Sequence, residues 1–274
     1  MKNVNSMVQF RDFENEISQT KMIKKENFGV WLGIPSVHTV RLLARLPLDF
    51  MIIDMEHAPT TLEAMVGMVS AVREVPDGPA PIVRLSQASA ENIKWALDAG
   101  AAGIIAPMIN SGEEAARVVS LAKLPPIGTR SFGSSYAGLP WGQTSAENVR
   151  MSNEQTLAGV QVESKEALEH LDEIFSTPHL DFVLVGPLDL SLSLGADFFS
   201  GQPSPEVEAA LDQVVAASRK YGVPAGIFCP DAATARRRIA QGFKMVNVAL
   251  DTTVLVEGVK KALADASDNK DSQK

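Results

Sequence analysis

Eight short apolar runs recur along the chain with room for a helix between most of them, and this rhythm restricts the fold more than any other feature. The runs are FGVWLG (28–33), DFMIID (49–54), PIVR (81–84), GIIAPM (103–108), GVQVES (159–164), DFVLVG (181–186), VPAGIF (223–228) and MVNVAL (245–250). Most are continuously apolar rather than alternating, the pattern of strands covered on both faces. Helical spacing follows several of them, in LEAMVGMVSAV (62–72), ENIKWALDAG (91–100) and EVEAALDQVVAASRK (206–220). Pro205 precedes the last of these where a helix readily starts. Eight strand–helix units in series predict an α/β protein, a (β/α)8 TIM barrel with parallel strands. An open doubly wound sheet is the competitor, but no G-x-G-x-x-G follows the first strand, so that fold's commonest cofactor signal is missing.

A chain of 274 residues suits one such barrel, and its apolar content (45% hydrophobic but only 6% aromatic) matches an interior filled by aliphatic side chains. The domain is expected over 26–265, after a polar arm or helix at 1–25 and before a disordered tail at 266–274. A formal net charge of -8 opposes binding to a phosphate backbone. The one basic run, Arg236-Arg237-Arg238, reads as the solvated face of a helix, so nucleic acid is not an expected partner. The single cysteine, Cys229, removes any internal disulfide or cysteine-based zinc site and reads as a buried, inert thiol. The N-terminus has no apolar leader and no stretch is long enough to cross a bilayer, so a cytoplasmic protein with no membrane partner is expected.

Residues 125 to about 157 break the rhythm with PPIGTRSFGSSYAGLPWGQTS, rich in Gly, Ser and Pro. A long irregular connection in a compact domain is usually functional or mobile. Read as the connection after the fourth strand, it is expected to open onto the catalytic face.

In this fold the active site gathers at the C-terminal ends of the strands. The second run ends in Asp54-Met55-Glu56-His57, the third in Arg84, and the fifth in Gln161-Val162-Glu163; the sixth leads into Gly186-Pro187-Leu188-Asp189. Glu163 and Asp189 close neighbouring strands, so their carboxylates can converge on one hard divalent ion. Taken singly, either carboxylate fits the cap of the following helix equally well. Arg84 offers a planar fork for a substrate carboxylate and a cation for developing enolate charge, or a salt bridge to the Asp54–Glu56 region. His57 is the one histidine at a strand's C-terminal end, where it can move a proton near neutral pH. His38, His170 and His179 fall in helix starts or loops.

These segments resemble the class II HpcH/HpaI aldolases, which cleave 4-hydroxy-2-oxo acids to pyruvate and an aldehyde on a barrel of the phosphoenolpyruvate/pyruvate type. The resemblance runs from about Phe28 to Leu255 and is carried by GVWLGIPS, IIDMEHAP, IVR, LDAGAAGIIAPM, GTRSFG, VQVES, GPLDLS and LDTT. It implies that His57 is the general acid/base, that Arg84 stabilises the enolate-like transition state, and that Glu163 and Asp189 bind the metal. Gln161 and the backbone of Leu188 would touch the keto-acid, and Asp54 would orient the histidine or hold a water of the metal. Asp98, in ALDAG, matches a carboxylate that raises the basicity of the histidine and acts across a subunit boundary; its other reading is a surface acid at a helix end. The implied cofactor is Mg²⁺, with Mn²⁺ or Co²⁺ open. No lysine ends a strand, in keeping with metal rather than Schiff-base chemistry. The implied partners are a keto-acid, an aldehyde and further copies of the chain, in a hexamer of three dimers that exchange a C-terminal helix at 252–265.

The loop SFGSSYAGLPWGQTSAEN is similar to that of the macrophomate synthase-like branch, where oxaloacetate is decarboxylated and its enolate trapped. There Phe132, Tyr136 and Trp141 would shape the electrophile's pocket, or else pack the loop onto the barrel. The alternatives to an aldolase are thus an oxaloacetate decarboxylase of that kind, or a catalytically inert barrel. Asp54, His57, Arg84, Glu163 and Asp189 standing together argue against the inert barrel.

Overall fold

The expected strands form as β1 (Asn27–Leu32), β2 (Phe50–Asp54), β3 (Ala80–Arg84), β4 (Gly103–Ala106), β5 (Leu157–Val162), β6 (Phe182–Val185), β7 (Ala225–Ile227) and β8 (Met245–Leu250). They pair in parallel in chain order and β8 returns to β1, closing a barrel. The structure, a computed structural model, describes residues 26–197 and 204–268. The arm expected at 1–25 lies outside the described residues.

Seven of the described helices begin where the sequence supplies a side-chain cap. A Ser, Thr or Asp side chain (Ser36, Thr61, Ser89, Ser111, Thr144, Ser164, Asp231) accepts from the backbone N–H three residues on. These bonds satisfy amides that the helix leaves orphaned and fix its first turn. The helices so started are α1 (Val37–Leu43), α2 (Leu62–Arg73), α3 (Ala90–Asp98), α4 (Gly112–Ala122), α5 (Ser145–Gln155), α6 (Lys165–Glu169) and, further on, α10 (Ala232–Gln241). Between these last two come α7 (Leu171–Phe175), α8 (Pro187–Ser193) and α9 (Pro205–Tyr221), and the chain ends in α11 (Asp251–Asp268). The last helix thus runs past the expected boundary at 265, and 269–274 lie outside the described residues.

Two cores result from the period-two alternation of side chains. Trp31, Phe50, Ile52, Ile82, Leu157, Phe182, Leu184 and Met245 fill the barrel interior. Val30, Leu32, Met51, Ile53, Val83, Val160 and Val183 point outward into the layer beneath the helices. Gly29 and Gly159 make room for the two interior phenylalanines: a Cβ there would lie 2.3 Å from the Phe50 ring and 2.2 Å from that of Phe182. The β7–β8 ladder is only two pairs long. Asn247 extends it, its side-chain amide bonding both the N–H (2.8 Å) and the carbonyl (2.7 Å) of Cys229.

Three expectations meet the structure here. Cys229 is buried, and burial pushes its thiol up to about 12, so the inert reading holds. Arg238 is not a solvated residue: it is buried and grips Glu208 through Nη1 (2.6 Å) and Nη2 (2.8 Å), tying α10 to α9. The segment at 125–157 does not open onto the catalytic face and is not irregular throughout. Helix α4 carries the chain back down before it begins, so it lies at the N-terminal mouth, and its second half is α5, closed by a Thr144–Glu147 capping box. There Trp141 packs against the interior core under the Arg73 guanidinium (3.7 Å), while Phe132 and Tyr136 are exposed. None of the three lines the cavity at the other mouth.

Candidate active site

Strand parity carries the interior register into the C-terminal mouth. Phe50 and Ile52 point inward, so Asp54 does as well; Ala80 and Ile82 lead in the same way to Arg84, and Leu157 and Gly159 to Gln161 and then Glu163. Apolar layers fill the lower barrel and polar ones crown it, around a cavity of about 320 Å³. Trp31, Asp54, His57, Arg84, Gln161 and Asp189 all line it.

Asp54 is the most heavily bonded group. Its carboxylate accepts from Arg84 Nε (3.0 Å) and Nη2 (2.6 Å), from Trp31 Nε1 (3.2 Å), and from the backbone N–H groups of Glu56 (2.9 Å) and His57 (3.3 Å). Burial works against its charge, but the Arg84 guanidinium and the other donors outweigh it and hold the carboxyl below its ordinary range. Arg84 is fixed in turn by this bidentate clamp, by Glu56 Oε2 at 2.9 Å from Nη1, and by the Trp31 ring 4.6 Å below its centre. The salt bridge expected as Arg84's other reading is therefore present, and the guanidinium so held still lines the cavity. His57 is anchored only by its backbone; its side chain is 65% exposed, with Nε2 3.9 Å from Glu56 Oε2.

Glu163 is buried, accepting from the backbone N–H of Met108 (2.9 Å) and from Gln161 Nε2. Met108 takes φ 53 to aim that amide, an uncommon conformation for a residue with a side chain. The carboxylate lies against Gly186, where a Cβ would come within 2.1 Å of Oε2, so the glycine is required by close approach. Burial pushes the Glu163 carboxyl above its ordinary range, and the charges of Glu56 and Asp189 add to the push. Asp189 does not end a strand as expected: it sits in the first turn of α8, three residues after Gly186, and still reaches the cavity. Leu188 lines the cavity beside it.

Asp98 is the residue that geometry separates from the rest. It ends α3, and a helix returning from a strand ends at the N-terminal mouth, so within one chain it cannot reach His57. Its carboxylate accepts from Arg130 Nη2 at 2.6 Å. Sequence reasoning, for its part, gave no separate role to Trp31 or Glu56. The signal for Trp31 was available, since it shares the inward parity of Gly29.

Four acids (Asp54, Glu56, Glu163 and Asp189) face one arginine and one histidine, an excess of negative charge that a divalent cation would offset. Gln161 Oε1 is buried at the same place with no hydrogen-bond partner. Among the described residues no three His, Cys, Asp or Glu side chains form a cage. Two carboxylates leaving the remaining positions to water and substrate fit a hard ion such as Mg²⁺. No helix among the described residues is long and apolar enough to cross a membrane.

Residues 27–258 match the family model described as HpcH/HpaI aldolase/citrate lyase. The 4-hydroxy-2-oxo-heptane-1,7-dioate aldolase of Salmonella typhimurium is 33% identical over 88% of this chain and 90% of its own. A solved HpcH/HpaI aldolase/citrate lyase family protein from Burkholderia cenocepacia superposes with TM-score 0.83 at 30% identity, covering 91% of this chain and 99% of that one. Macrophomate synthase superposes with TM-score 0.82 at 28% identity, covering 93% and 91%.

Proposed function

The chain belongs to the HpcH/HpaI aldolase/citrate lyase family, a family of carbon–carbon lyases, and on that premise we propose that it is a divalent-metal-dependent aldolase making or cleaving 4-hydroxy-2-oxo acids through the enolate of pyruvate. The observation that carries the reading is the cavity at the C-terminal mouth, lined by Asp189, Arg84 and His57, with Glu163 set directly behind its wall residues Gly186 and Gln161.

Glu163 and Asp189 are the residues that would hold the ion, Mg²⁺ first and Mn²⁺ or Co²⁺ as substitutes. When bound, it supplies Lewis-acid polarisation of the keto-acid and a template for its oxygens. In cleavage His57, exposed at the rim and next to the cavity, takes the 4-hydroxyl proton as the C3–C4 bond breaks. The Arg84 guanidinium, which lines the cavity, faces negative charge developing on the enolate oxygen. Asp54, by clamping Arg84 and the turn that carries His57, holds both in place. Gln161 and the backbone at Leu188 border the keto-acid, and His57 returns the proton to the enolate carbon to release pyruvate. In the reverse direction the enolate adds to an aldehyde.

The proposed assembly is a homo-oligomer, a hexamer of three dimers. It is supported by α11, on which Val254, Leu255, Val256, Val259 and Leu263 are all exposed in the single chain. Asp98 would tune the histidine of another copy, since its own lies at the far mouth. Mixing His57→Ala and Asp98→Ala subunits tests this, because restored activity requires the two residues to act across copies.

The likeness to macrophomate synthase supports a second reading, decarboxylation of oxaloacetate to the same enolate. One experiment separates the two: pyruvate against a panel of aldehydes, and oxaloacetate alone, with Mg²⁺ or with a chelator, read by product mass and CO₂. Metal-dependent aldol products carry the aldolase reading. CO₂ release without them moves the assignment to the second, and neither product overturns both.

A further inference from the structure

Glu56 is a carboxylate at the mouth with no task in the chemistry above. It stands in the turn after β2, with its backbone N–H on Asp54 and its side chain 17% exposed. Its Oε2 is buried and has no aligned hydrogen-bond partner, although Arg84 Nη1 (2.9 Å) and His57 Nε2 (3.9 Å) flank it. Clamping Arg84 does not explain it, because Asp54 already takes Nε and Nη2 in the bidentate manner. Burial pushes the Glu56 carboxyl above its ordinary range; Arg84 and His57 pull it back, and Asp54 and Asp189 add to the push. Glu163 feels the charge of Glu56 in turn. An acid half-sunk among three other acids is unfavourable unless a cation joins them. Yet Glu56 is not in a three-residue cage with Glu163 and Asp189.

We propose that Glu56 is a positioning residue of the metal centre. It meets the ion held by Glu163 and Asp189 through water, its carboxylate accepting from the ion's water ligands. Its Oε2, which stands against both Arg84 and His57, keeps the two facing the same point. The proposal rests on the metal-dependent reading of the mouth.

The test is Mn²⁺ titrated into the whole protein, with free Mn²⁺ read by electron paramagnetic resonance and the melting temperature of the metal-free protein measured beside it. Glu56→Gln is expected to weaken Mn²⁺ about tenfold, the ordinary cost of losing an outer partner of a metal site. Glu56→Asp should fall between Gln and wild type. Metal-free Glu56→Gln should melt at or above the wild-type temperature, because a repelled buried charge has gone. Unchanged Mn²⁺ affinity together with a lower melting temperature overturns the proposal and leaves Glu56 as a structural brace for Arg84. A wild-type protein that binds no Mn²⁺ overturns the metal reading itself. If wild type binds, Glu163→Gln does not, and Glu56→Gln binds like wild type, only the inference about Glu56 falls.

Discussion

The two mouths of this barrel both bury charge, but in opposite ways. At the N-terminal mouth the buried cations are matched one by one: Lys123 meets Asp181 at 2.9 Å, Arg130 meets Asp98 at 2.6 Å, and Arg73 lies over Trp141, although burial pushes the Asp181 carboxyl up and Arg130 Nε lacks a hydrogen-bond partner. Gln143, Asn148 and Gln155 bond one another beside them. At the C-terminal mouth four acids crowd one arginine, Glu163 and Glu56 are held above their ordinary range, and Gln161 Oε1 lacks a partner. Charges matched one to one stabilise and specify a fold, whereas an unbalanced cluster of acids marks a place kept ready for something else. The difference teaches which end is scaffold and which is site, and it can be broken by experiment.

The largest effect should come from His57→Ala, which is expected to lower kcat about 10³-fold as a lost acid/base. Because the side chain is 65% exposed, the melting temperature should hold. A stability loss with activity retained would reverse the roles of the two ends. At the opposite mouth, Asp181→Ala leaves Lys123, whose side chain is 3% exposed, with the carbonyls of Asn153 and Thr156 but no counter-charge. Denaturant unfolding should show a loss of about 3 kcal/mol, while turnover per folded molecule stays at the wild-type value.

Gly186→Ala sharpens the geometry, since its Cβ would displace a Glu163 oxygen. A drop of about tenfold in Mn²⁺ affinity is expected. Gly133→Ala, with open space around it, should change nothing. Calorimetry at several pH values reads the smallest effect. Asp54 is held low, so its stabilisation is present above the ordinary carboxylate range and fades as pH falls through its lowered value. Glu163 and Glu56 are held high, so their contribution is full in acid and is lost as pH rises through their folded values. A divalent ion offsets that loss, so Mg²⁺ should raise the melting temperature more at about pH 8 than at about pH 5. An equal rise at both would mean that Glu163 does not meet the ion.

Much of this was legible beforehand, and for a local reason. A strand covered on both faces must be apolar throughout, so the runs ending at Asp54, Arg84 and Gln161-Val162-Glu163 announced both barrel and rim. The segment at 125–157 was misassigned because its mouth depends on α4, whose GEEAARVVSLA turns the chain around before Pro125. Arg238 read as solvated because nothing in Arg236-Arg237-Arg238 singles out the residue that faces Glu208, 30 positions away. Glu56 sat in plain view beside His57, but its strain exists only once Asp189 and Glu163 are brought near it.

Side-chain alternation and capping are properties of neighbours along the chain, so strand and helix positions, the inward parity of Asp54 and Arg84, and the family likeness all follow from order of residues alone. Which charges meet is a matter of distance in space. Hydrogen bonds and Coulomb energies change steeply over an ångström, and those distances are set by barrel closure and register. Closure pairs Arg84 with Asp54, sends Asp98 to the far mouth with Arg130, and gathers the acids into one unbalanced cluster.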